Sequence, residues 1–398
     1  MFKITKRLFL LSVVTVVLLG AVQGSDSPSP SDVAVSPYKY SLFRWEVDHF
    51  LDKWVNKLQE ILPWNSEPSR EARIAQAQEF FDLTAEIREL ERGSADENAA
   101  RIEELRQRRS DMQTDVEETV ESEISAILVE EGFSSRIGVI FPPVDTVFAA
   151  SPGALIISPR DRIAQTSSTL LKPGIPGDVR NELEEVIFRE DDVSALVVST
   201  GGVATYPSVV SATATLHSAL VITAHEWLHH WFFFQPLGQH FWDSSDMTTL
   251  NETAATLGGQ AIGDRVFTAI TGEQVSRESE PPAPADLGAF NFNDAMHETR
   301  LRTEALLADG KIEEAEAYME ERRLFMAENG FFIRKINQAF FAFHGTYATS
   351  AASISPINGQ LKELRSQSDS LEDFLKTVGT FGSYNEFLKY LDGDEGDG

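Results

Sequence analysis

Residues 216–234 form a strongly apolar stretch into which His225, Glu226, His229 and His230 are set. The neighbours Val221, Ile222, Ala224, Trp227, Leu228 and Trp231 mark it as a buried helix. Ionisable groups are costly on such a helix unless they share a partner. Residues four apart lie on one helix face, about 5–6 Å from each other. His225 and His229 therefore suit one tetrahedral metal ion. Glu226 is rotated round the helix, where it contacts a water at the metal without being a ligand. Zinc lowers the pKa of such a water to about 7, so a carboxylate placed there can take its proton and deliver it to a leaving amine. The rival reading is a core histidine pair hydrogen-bonded to its neighbours.

The third ligand separates the subclasses. A metzincin continues with Gly and His at fixed offsets after the motif, and the corresponding positions here hold Phe232 and Gln235. Further on, Glu252 lies 23 positions after His229 on what should be a second helix. A helix fixes a ligand better than a loop does, so Glu252 is preferred over His240, Asp243 and Asp246. The expected cofactor is one Zn2+ held by His225, His229 and Glu252, with Glu226 as the base.

The pattern His225-Glu226-x-x-His229 followed by Asn251-Glu252-x-x-Ala255-Thr256 resembles the gluzincin-type zinc metallopeptidases of bacteria that are classed as aminopeptidases. The later residues Tyr318-Met319-Glu320-x-Arg322-Arg323 and Ile336-Asn337-x-Ala339, with Tyr347 beyond, are similar too. The likeness covers roughly residues 195–391 and is tightest at the two metal motifs. It implies zinc at the His225, His229 and Glu252 cluster and hydrolysis of a peptide or protein substrate. The chain departs from the thermolysin-type pattern at Thr256, where an acidic residue would support a ligand histidine. By the same analogy the strand over 201–206 is the edge on which an extended substrate would lie.

Hydrolysis also needs a donor for the developing oxyanion. Tyr347 is the preferred donor, with His344, His217 and His230 as rivals. His230 follows His229 directly and points elsewhere, which favours a hydrogen-bonded core role. No motif identifies an acidic group for a substrate amine, so exopeptidase and endopeptidase modes both stay open.

The rest of the chain sets the context. Lys3, Lys6 and Arg7 precede an apolar run over 8–22, the pattern of an export signal or, second, an uncleaved anchor. The expected location is extracytoplasmic, secreted or held on the outer face of the cell membrane. The protein contains no Cys, so its stability must come from its core. A net charge of −28 excludes nucleic acid as a partner, because no basic surplus is available for phosphates.

The organisation reads as a signal or anchor (1–24), a proline-punctuated linker (25–37) and an amphipathic helix (38–62). This helix either packs on the core or lies at the membrane surface. A highly charged helical hairpin follows, up to residue 132. It breaks at Gly93-Ser94 and is either an arm or cover, or a structural layer with a solvated face. Residues 133–275 form the α/β metal-binding region, with strands expected over 136–148 and 154–158. A hairpin or bent edge strand is expected around Gly201-Gly202, and helices over 179–189, 212–234 and 249–267. A helical region (276–391) follows a proline linker at 280–284, and an acidic tail (392–398) ends the chain. The expected fold is α+β, mostly helical, with a gluzincin-like core and one small twisted sheet. The alternative function is an exported surface scaffold in which zinc is structural or the site vestigial.

Overall fold

The computed structural model describes residues 29–41, 68–93, 97–134, 139–275 and 290–393. The expected export segment, residues 42–62 of the expected amphipathic helix, the expected 280–284 linker and residues 394–398 of the expected tail lie outside them.

The expected linker turns out to hold a helix, α1 (Pro30–Val35). Ser29 accepts from the Asp32 N–H and Asp32 accepts from the Ser29 N–H, a reciprocal cap with proline in the first turn. The punctuation read as a linker is thus a helix start. Val35 packs with Leu171, Leu183 and Ile187. Residues 38–40 are not the start of a helix either. Tyr40 N–H donates to Leu170 O at 2.9 Å and Lys172 N–H to Tyr38 O at 2.7 Å, which lengthens a sheet.

Helices α2 (Arg70–Arg92) and α3 (Ala99–Glu130) form the antiparallel hairpin. Phe80, Phe81, Val116, Val120 and Ile124 carry its apolar side into the main core. Its charges are not all on a solvated face. Glu117 and Glu121 are buried, and their carboxylates accept the Phe148 and Thr146 N–H groups at 2.7 and 2.8 Å. Two glutamates one helical turn apart therefore serve alternate N–H groups of an edge strand, satisfying donors a neighbouring strand would otherwise take.

Two three-stranded sheets replace the single one expected. In the first, β1 (Thr146–Ala149) pairs in parallel with β6 (Ser208–Ser211), and β5 (Gly202–Val203) pairs antiparallel on the other side of β6. In the second, β2 (Gly153–Pro159) lies between β3 (Ser167–Leu171) and β4 (Val193–Ser199), all antiparallel. Helix α4 (Gly177–Asp191) joins β3 to β4. Of the strand expected over 136–148, residues 136–138 lie outside the described residues and the rest holds only β1, since Pro142 and Pro143 have no N–H for a ladder. Of the two readings at Gly201-Gly202, the edge strand holds and a hairpin joining the flanking runs does not. β4 ends at Ser199 in one sheet and β5 opens the edge of the other.

The centre of the molecule is α5 (Leu216–Phe232), which packs along α7 (Ser245–Thr271) with the single turn α6 (Pro236–Gln239) between them. Helices α8 (Phe292–Ala308) and α9 (Ile312–Glu328) pair with each other, and α10 (Gln338–His344) packs on the β2/β4 sheet. Gly310 and Gly330 take left-handed φ of 73° and 89° just after α8 and α9, the conformation glycine adopts without strain. Helices α11 (Ile357–Gln367), α12 (Leu371–Gly379) and α13 (Tyr384–Leu391) close the core beneath α7 through Leu361, Phe374, Leu375 and Phe387. The fold is mixed α+β and mostly helical. Among the described residues, no helix is long and apolar enough to cross a membrane.

Candidate metal centre

Helix α5 has two working faces. Ala219, Leu220, Ala224, Trp227 and Leu228 are sunk in the core. The buried Trp227 indole N–H donates to Pro142 O at 2.8 Å, tying the cis Phe141-Pro142 loop to the helix. The other face carries Ile222, His225, Glu226 and His229. The chain can bring a second helix against this face because α7 presents glycines there. A Cβ on Gly259 would sit 2.9 Å from the N, Cα and Cβ of His225, and one on Gly263 would sit 2.6–2.8 Å from Val221. Close approach of α7 at His225 delivers Glu252.

His225 Nε2 and His229 Nε2 are 3.0 Å apart, and Glu252 Oε2 lies 3.6 and 3.5 Å from them. Ligand atoms of a tetrahedral zinc site, each about 2.0–2.1 Å from the ion, would be separated by about 3.3 Å. The triangle fits that shape. Among the described residues, buried Glu252 Oε2 has no hydrogen bond of ordinary length, the two imidazole nitrogens lying 3.6 and 3.5 Å away. An orphaned carboxylate oxygen facing two imidazole nitrogens is the donor set a zinc ion satisfies, and these three residues are the ones that would hold it.

Asn251 orients one ligand. Its Nδ2 donates to Leu237 O at 3.4 Å, which leaves Oδ1 to accept from His229 Nδ1–H at 2.9 Å. That bond keeps a proton on Nδ1 and aims Nε2 at the cluster, where it offers a lone pair once deprotonated. The support that an acidic residue would give at the position of Thr256 in the thermolysin-type pattern comes here from Asn251, one residue before Glu252. Nothing in the motif alone distinguishes a supporting Asn from a spacer.

Electrostatics describe the same demand. Burial alone would lower His229, yet the adjacent Glu252 lifts its pKa to about 9. Burial alone would raise Glu252, yet His229 and His225 hold it well below the usual carboxylate range. Two carboxylates and two imidazoles enclosed together call for added positive charge. Burial pushes the Glu226 carboxyl up against the pull of both histidines, as suits a proton acceptor rather than a fixed anion.

The cluster lies in a cleft of about 830 Å³ that also includes Tyr347, Tyr206 and His230 in its walls. Tyr347 belongs to the site as the sequence suggested. Burial first, then the charges of Glu252 and Glu226, hold its hydroxyl well above the ordinary tyrosine value, so it keeps its proton. The next residue is anchored, with Ala348 N–H donating to buried Thr253 Oγ1 of α7 at 3.0 Å. Of the other candidates, His217, His240, Asp243, Asp246 and His344 do not line the cleft. His217 pairs with Asp264 at 2.8 Å, and His240 with Asp243 at 2.6 Å on the surface. His344 packs against Phe340 and Phe343 and Asp246 is exposed in the first turn of α7. His230 lines the cleft against the Tyr206 ring, and burial pushes its pKa down to about 4, so it is neutral.

No family model, curated protein or solved structure matches the chain. The functional argument therefore rests on the geometry of this site.

The edge strand β5 passes directly beside Glu226. A Cβ on Gly202 would lie 2.6 Å from Glu226 Oε1 and 3.0 Å from Val209 O. Gly202 thus serves a close approach, not a turn. Sequence reasoning missed Tyr206 and the aromatic rim formed by Phe141, Phe233, Phe234 and Trp242. The run Phe232-Phe233-Phe234 held the signal. Three consecutive residues at the end of a helix cannot all face one core, and only Phe232 is buried.

Proposed function

We propose that this protein is an exported, zinc-dependent hydrolase of peptide bonds. The observation that carries the proposal is the convergence of His225, His229 and the unpartnered Glu252 oxygen beside Glu226, all opening on one cleft. When bound there, zinc would polarise the scissile carbonyl and acidify water.

The remaining work falls to the chain. Glu226, inside the cleft and not among the three clustered ligand atoms, accepts the proton of the attacking water and returns it to the departing amine. Tyr347, which keeps its proton, donates to the oxygen that gains charge in the transition state. Among the described residues, β5 is an edge strand with one side unpaired, and it offers backbone groups to an extended substrate. Asn251 and the Gly259 contact hold the ligands in place and touch no substrate. A gluzincin-type arrangement is supported by two histidines from one helix and a glutamate from the next.

The test compares zinc-loaded wild type with E226Q on a mixed peptide library, read by mass spectrometry. The account expects both to hold zinc and only wild type to cleave. A surface scaffold with structural zinc would leave both equally inert.

A further inference from the structure

The cleft also carries information on what it accepts. Among the described residues that line it, the charged side chains are Glu226 and Glu252, beside the three imidazoles. Both carboxylates already have roles at the metal. Among the described residues, none of the lining carboxylates is left to receive a substrate α-amine, and no lysine or arginine lines the cleft to receive a terminal carboxylate. A peptidase that counts from a chain end needs one of these, since a terminal charge brought out of water without a partner is strongly disfavoured.

The mouth is aromatic instead. Trp242 is 80% exposed, Phe141 and Phe233 are each 59% exposed, and Phe234 is 49% exposed. Their rings touch in sequence, with Phe141 to Phe234 at 5.1 Å and Phe233 to Phe234 at 5.3 Å. Phe241 bridges to the His225, His229 and Glu252 cluster, 6.4 Å from the His229 ring and 4.5 Å from Trp242. Clustered exposed aromatics on a chain with a net charge of −28 mark a contact surface, and this one is continuous with the cleft.

We infer that the protein is an endopeptidase that takes an extended, internal apolar segment of a polypeptide, seating bulky side chains against Phe234, Phe241 and Trp242 and binding neither terminus. This inference rests on the hydrolase reading above. Apart from Glu226 and Glu252, the described lining carries no carboxylate, lysine or arginine to reward a free end. The aromatic rim favours large apolar residues on either side of the bond that meets Glu226.

The experiment uses the full zinc-loaded chain and synthetic decapeptides of two kinds, one with a Phe/Leu centre and one with an Asp/Lys centre. Each is made with free ends, N-acetylated, C-amidated and doubly blocked. The expected result is internal cleavage of the apolar peptide, with blocking changing kcat/KM less than about threefold and the charged centre slowing it at least about tenfold. The variants W242A and F234A should each raise KM for the apolar peptide about tenfold with kcat retained, while zinc content and melting temperature stay at the wild-type values. Cleavage that disappears on blocking either end, or internal cleavage indifferent to the apolar centre, would overturn the inference and leave hydrolysis standing. No cleavage of any peptide by the zinc-loaded chain would overturn both.

Discussion

His229 is held from two directions, and the residues on either side of it make separable predictions. Asn251 keeps a proton on its Nδ1 through the bond at 2.9 Å. Removing the amide in N251A should weaken zinc binding by about 10–100-fold, the usual cost of losing a group that orients a ligand. Competition with a chromogenic chelator measures this, and an unchanged affinity would show that the ring needs no such support. Glu226 should behave in the opposite way. E226Q should keep zinc and lose about 10²–10⁴-fold in kcat, because the amide cannot accept the proton. Both histidines, Glu226 and Glu252 were legible in the sequence, since helical spacing translates directly into a shared face. Asn251 was not, because an asparagine beside a ligand is read only once its amide is seen to be oriented by Leu237 O.

At the scale of elements, the site depends on how closely α7 and β5 approach α5. G259A places a Cβ 2.9 Å from three His225 atoms, two of them backbone, so the helices must separate. A loss of about 1–3 kcal/mol in stability is expected from such overpacking, accompanied by weaker zinc binding. G359A in α11 is the control, since nothing lies within 4 Å of its Cβ. It should be neutral or stabilising by about 0.5–1 kcal/mol. Chemical denaturation with and without zinc distinguishes the two. The helices were read from the 3.6-residue periodicity. The sheets were read poorly because their strands are four to seven residues long or shorter and pair across long sequence gaps, as in Thr146 with Ser208. The glycine pair at 201–202 looked like a turn because a close approach to Glu226 has no local signature.

Across the whole molecule, buried carboxylates do structural work far from the cleft. Glu184 of α4 accepts the Val197 N–H of β4 at 2.7 Å, Arg334 Nη1 at 2.9 Å and Lys335 Nζ at 2.6 Å. Burial alone would raise this carboxyl, but Arg334, Lys335 and the backbone donor together lower it. A carboxyl lowered in the folded state stabilises above its unfolded value, about 4.3, and that contribution is lost as pH falls through the lower folded value. E184Q should therefore cost about 2 kcal/mol at pH 7, and the gap to wild type should narrow below pH 4. Urea melts at both pH values measure it, and a gap independent of pH would contradict the assignment. The overall acidity gave no hint of this, because composition cannot separate a solvated glutamate from one tying three segments together.

The most direct test of the account is the metal content of the purified full-length chain after equilibration with zinc and removal of excess, alongside H229A and E252Q. The account predicts one zinc per chain in the wild type and loss of that ion in both variants, whatever the substrate proves to be. A wild type that retains no zinc, or variants that retain it as well as wild type, would contradict the assignment of this cluster as a metal centre.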